Sequence, residues 1–104
     1  FWATTGLFPQ ELIIKLGTAV SITKIKTVTT NVKNLEVDKC EGMSPTSWER
    51  VFGIKVPDSE GRPQVETNQT PRLTATFLRF KITAGWDDFS TVHRIVVEGA
   101  PVGK

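Results

Sequence analysis

His93 is the one imidazole of the chain, and Asp88 and Ser90 stand shortly before it, so the side-chain types of a nucleophilic triad are present. Their spacing works against that chemistry. Three residues within six positions of a turn and a strand point apart, which favours a structural or interface role for His93. Asp87 and Asp88 carry the two carboxyl groups that hydrolysis by acid and base requires, but neighbours in a turn diverge instead of facing each other across a cleft. Asp in a turn ordinarily bonds backbone amides. Cys40 is the only thiol, which excludes an internal disulfide, leaves a cysteine-based zinc site without ligands and points to a reducing compartment. No phosphate-cradling loop of the GxxxxGKS/T or GxGxxG type occurs. Asn68-Gln69-Thr70 is a glycosylation sequon, a match with meaning only in a secreted chain. Every catalytic arrangement lacks a needed group, so the expectation is that the chain is not an enzyme.

Binding chemistry is better represented. Trp86 and Phe89 flank Asp87 in a stretch that begins at Gly85, an aromatic pair on a turn and a candidate contact patch. Lys24, Lys26, Lys33, Arg79, Lys81 and Arg94 fall at alternating or near-alternating strand positions. They form either a solvated face that keeps the sheet from aggregating or a basic face for an acidic partner. For partner binding, the candidates are Arg79, Lys81 and Arg94 on a sheet face and Trp86, Asp87 and Phe89 on the turn. The sheet face is preferred because it supplies rigid area. Trp2 and Trp48 are assigned to the core.

These groups must be held by strands. Among 104 residues there are 14 Thr, 11 Val and 7 Ile against 5 Ala and 6 Leu, a β-branched composition. The hydrophobic fraction of 38% and charged fraction of 23% suit one globular domain over 1–104. A net charge of +2 disfavours a nucleic-acid partner, and no apolar run is long enough to span a bilayer as a helix.

Periodicity predicts strands over Glu11–Leu16 and Val20–Thr30, joined tightly at Gly17, with a bulge implied by the three-residue spacing of Ile22 and Ile25. Val32–Cys40 alternates cleanly, Trp48–Val56 is a further strand, and Ser44-Pro45 starts at most one helical turn. Pro57–Pro71, polar and holding three prolines, is expected to be the longest loop. In Arg72–Thr83 the apolar phase changes between Phe77 and Leu78, implying a bulge or sheet crossing. Ala84–Ser90 is a turn, and Thr91–Glu98 the last strand. The expected fold is an all-β antiparallel sandwich burying Trp2, Ile13, Ile22, Leu35, Val37, Phe80, Ile82, Ile95 and Val97.

Particular residues go further. The opening FWATTGLFPQE, the run ATFLRF over residues 75–80 and the run VHRIVVEG over 92–99 together resemble the intraflagellar transport protein 25 family, also called heat shock protein family B member 11. The likeness is in order and spacing at both ends, and is weak between about Val32 and Pro71. It implies a galactose-binding, discoidin-type jelly roll. It also implies a non-catalytic subunit of the intraflagellar transport B complex, in cilium and cytoplasm, paired with a small Rab-like GTPase, intraflagellar transport protein 27. Family members have an Asp-Gly loop and a further strand just before the Phe-Trp pair, so the domain is expected to be N-terminally incomplete here. By the same resemblance Glu98 matches a carboxylate beside a structural calcium, with the site incomplete in this chain. The alternative is a carbohydrate-binding discoidin-like module using Trp86, Arg94 and Asp88.

Overall fold

The computed structural model describes residues 2–3, 10–42, 44–58, 60–86 and 90–102, with the side chains of 2, 3, 71 and 72 not described. Its strands are β1 (Trp2–Ala3), β2 (Gln10–Thr30), β3 (Val32–Cys40), β4 (Glu49–Lys55), β5 (Gln64–Gly85) and β6 (Thr91–Pro101), with no helix among the described residues. All pairs are antiparallel, in the order β1-β6-β2-β5-β3-β4.

One hydrogen-bonded sheet makes both layers because its two longest strands pass through both. Gln10–Lys15 of β2 lies beside Phe77–Ile82 of β5, which continues to β3 and β4. Val20–Thr30 of β2 lies between Gln64–Ala75 of β5 and β6. The jelly-roll expectation holds in this curled form.

The passage between layers explains two departures. The stretches Glu11–Leu16 and Val20–Thr30 are one strand, because Gly17 at φ 85° lets the chain bulge and keep its direction instead of reversing. Pairing with β5 breaks there, between Lys15 opposite Phe77 and Val20 opposite Ala75. The second half of the expected loop is also strand: Gln64–Gln69 pairs with Lys24–Thr29. That segment is paired on one side only and largely wet, so its polar composition imitates a loop.

Other expectations hold. Register shifts between Ile22 and Lys24 against both neighbours, and Phe77 and Leu78 are consecutively buried where β5 changes layer. The turn from β2 to β3 is the single residue Asn31 at φ 62°, a conformation Asn tolerates. Its carbonyl accepts from the Trp86 amide at 2.8 Å and from Ser90 Oγ at 3.0 Å, tying the β5 end to this hairpin.

Ile22, Leu35, Val37, Phe80 and Ile82 are buried as expected, joined by Ile25, Val32, Leu78 and Val92. Ile95 and Val97 are half-buried against this cluster. Ile13 is a correction: it is 47% exposed, because Leu12, Ile14 and Leu16 take the inward phase of β2. An uninterrupted Leu-Ile-Ile offers both phases, and pairing decides between them. The Trp2 side chain lies outside those described.

Candidate functional site

The side chains that sequence reasoning marked for binding do not meet on one face. Arg79 and Lys81 stand on β5 where it is flanked by β2 and β3, whereas Arg94 on β6 is in register with Val28, in the other layer. Trp86 follows β5 at the end of the sheet. Asp87, Asp88 and Phe89 lie outside the described residues.

Alternation turns Leu78, Phe80 and Ile82 inward, so Arg79 and Lys81 face out. Register then sets Arg50, Asp38, Arg79 and Ile13 in one row across β4, β3, β5 and β2. The next row is Gly53, Glu36, Lys81 and Glu11. Charges of opposite sign meet in both rows. Asp38 accepts from Arg50 Nε at 2.6 Å and, bidentately, from Arg79 Nε and Nη2 at 3.1 and 2.8 Å. Glu36 Oε1 lies 3.0 Å from Arg50 Nη2 and 3.6 Å from Lys81 Nζ. The Arg79 guanidinium stacks on Trp48, 4.6 Å from the ring centroid.

Asp38 is only 2% exposed although it stands on the outward face, so its carboxylate lies beneath its cationic partners. Burial pushes its carboxyl pKa up, but the hydrogen bonds and charges of Arg79 and Arg50 outweigh this and hold it below the usual value. The same pairing raises Arg50 above its ordinary value. Sequence reasoning saw Glu36 and Asp38 only as the solvated side of β3. Their alternation with Leu35 and Val37 was visible, but their cross-strand partners were not.

The remaining candidates are committed elsewhere. Lys33 Nζ sits 4.8 Å over the Trp86 ring, and Trp86 Nε1 donates to the Val56 carbonyl at 2.9 Å; the indole is still 43% exposed. Lys24 pairs with Glu98 at 3.2 Å. His93 Nε2 and Thr30 Oγ1 share a 2.6 Å hydrogen bond, while Ser90 Oγ is buried and turned to Asn31, so the two are not aligned for proton transfer. Cys40 is buried, with Sγ donating to the Ser44 carbonyl at 3.3 Å. The backbone at Gly42, then at Ser47 and Thr46, draws its thiol pKa down against burial and the charge of Glu41. The amide nitrogen of Asn68 is enclosed on a strand and so closed to glycan transfer in the folded state.

At Glu98 the neighbour is a cation. Among the described residues no three His, Cys, Asp or Glu side chains gather, whereas calcium takes about six to eight oxygens. The described residues therefore do not fit a calcium ion at Glu98.

No family model matches the chain. It is 37% identical over 99 residues to intraflagellar transport protein 25 of Chlamydomonas reinhardtii, covering 95% of this chain and 52% of that protein. It is 37% identical to the Mus musculus homolog over 104 residues, all of this chain and 73% of the relative, and 34% identical to the Homo sapiens homolog, covering 72%. The chain thus spans about half the length of the algal relative and nearly three quarters of the mammalian ones.

Among solved structures it resembles chitosan-binding module 1 of a Paenibacillus chitosanase/glucanase, with TM-score 0.80 and 19% identity over 94% of this chain and 75% of that one. It also resembles a CBM32 module from Clostridium perfringens solved with GalNAc-beta-1,3-galactose, with TM-score 0.73 and 20% identity over 86% of this chain and 66% of that one. At such identities these likenesses show the fold.

Proposed function

The chain belongs to the intraflagellar transport protein 25 family, which places it in the cilium or flagellum, and on that premise we propose that it works without catalysis, as a transport-complex subunit holding a folded partner. The observation that carries this reading is identity of 34–37% along essentially the whole chain. Internal chemistry supports it: the hydroxyl of Ser90, the imidazole of His93 and the carboxylate of Asp38 are each bonded within the fold. The partner that the family resemblance favours is a small Rab-like GTPase, intraflagellar transport protein 27. The carbohydrate-module reading has the fold in its favour, but Lys33 covers a face of Trp86 where a sugar ring would stack.

Tagged protein recovered from ciliated cells, with mass spectrometry of what accompanies it, tests the proposal. A stoichiometric small GTPase together with other transport subunits is expected. Recovery of the protein alone, or elution by galactose, refutes it.

A further inference from the structure

We infer that the outward face of β5–β2–β6 docks on an anionic membrane leaflet, with Lys26 and Arg94 meeting the charge of the lipid headgroups. The occupant is the lipid surface itself, and no partner protein is needed.

Register builds this face. Ile25, Thr27 and Thr29 of β2 turn into the core, so Lys24, Lys26 and Val28 turn out. Their cross-strand neighbours share that side, in the rows Val65–Val28–Arg94, Thr67–Lys26–Val96 and Gln69–Lys24–Glu98. His93 is the extra residue of a bulge, since Arg94 stands opposite Val28 and Val92 opposite Thr29. Its bond to Thr30 Oγ1 keeps it outward, so imidazole and guanidinium stand together beside Lys26.

Charge does not cancel there. Lys24, Lys26 and Arg94 share the face with one carboxylate, Glu98, and Lys24 is the cation that Glu98 holds, at 3.2 Å. Glu66 stands opposite Thr27, on the inward phase, and bonds Gln64. Among the described residues no ion pair, side-chain hydrogen bond or ring holds the side chains of Lys26 and Arg94. The other layer differs, because Glu36 and Glu11 stand in the row of Lys81 and Asp38 holds both arginines.

The way these cations are held selects the occupant. Protein interfaces favour large anchors fixed before contact. Here the cations are unfixed, and the apolar groups between them are the short side chains of Val28, Val96 and Val65, the last 51% exposed. Three strands at about 4.8 Å spacing and six residues at about 3.4 Å give roughly 300 Å², well under the ~800 Å² a stable protein pair covers on each side. A fluid layer of anionic headgroups requires no matching shape, and each Lys or Arg near it raises partition about fivefold.

Sedimentation of the full chain with vesicles of phosphatidylcholine, alone or mixed with phosphatidylserine, tests this once circular dichroism and melting have confirmed the fold of each variant. Two uncommitted cations should favour the anionic vesicles by about 25-fold, and about 1 M salt, with its screening length of about 3 Å, should abolish the preference. Lys26→Gln with Arg94→Gln should erase it. Lys15→Gln with Lys55→Gln, which removes the same charge from exposed positions of the other layer, should leave it within about twofold. Glu98→Gln releases Lys24 and should raise partition about fivefold. Equal partition onto both kinds of vesicle, or equal loss in both double variants, overturns the proposal. So does binding to soluble polyglutamate that is lost in the Lys26 and Arg94 variant while vesicles are ignored, which would make the occupant an acidic protein.

Discussion

Arg79 should prove a stability residue before it is anything else. Replacing it by Met keeps the length of the stem but removes two charge-assisted hydrogen bonds to Asp38 and the stack on Trp48. Hydrogen bonds to charged groups are worth about 1.5–3 kcal/mol each, and a partly exposed cation–π contact about 0.5–1 kcal/mol. Arg79 is partly exposed and Arg50 remains on the other carboxylate oxygen, so a discounted loss of about 3 kcal/mol is expected. For a domain of this size that lowers the melting temperature by roughly 12–24 °C. Urea unfolding of Arg79→Met, Asp38→Asn and the double variant isolates the pair, with an expected coupling of about 1–3 kcal/mol. Arg79→Lys should fall between, since ammonium cannot make the planar fork. If Arg79→Met costs under about 0.5 kcal/mol and the two changes simply add, the network described here is not holding the face.

The core should gain from losing two hydroxyls: Thr27 and Thr29 are each 1% exposed with no partner for Oγ1, so Thr27→Val and Thr29→Val are each expected to stabilise by about 1–2 kcal/mol in urea unfolding, and a loss of that size would contradict this. Acid should act through Asp38. Its folded carboxyl sits below the unfolded value, so its contribution is complete at neutral pH and disappears as pH falls below about 4 through the folded value. The stability gap between wild type and Asp38→Asn should therefore shrink from pH 6 toward pH 3, and a widening gap would reverse the sign. Gly99→Ala should cost more than about 2 kcal/mol, because its methyl would run into the Ser21 carbonyl oxygen; melting within 2 °C of wild type, about half a kcal/mol, would refute that close approach.

Strand type was legible because β-branched residues and period two are local signals, and Leu35, Val37, Phe80 and Ile82 were placed correctly from them. The bulge at Ile22–Lys24 and the layer change after Phe77 were legible too, as breaks in phase. Continuity was not. Gly17 has the composition of a turn, and only pairing with β5 decides that the chain continues straight on. Gln64–Thr70 reads as loop in the sequence because a half-wet strand with one neighbour needs few apolar residues. The pairs Asp38–Arg79 and Glu36–Lys81 depend on register between strands about forty residues apart, which no periodicity within either strand contains. Alternation alone groups Arg94 with Arg79, and the curl of the sheet separates them.

If this fold works, as proposed, by holding a protein, the mass of the full chain mixed with an equimolar small Rab-like GTPase, measured by light scattering behind a sizing column, will show it. A single peak at the sum of the two masses, unchanged by an excess of galactose, is the predicted result. Two separate peaks, with galactose shifting the melting temperature of this chain, would contradict the claim.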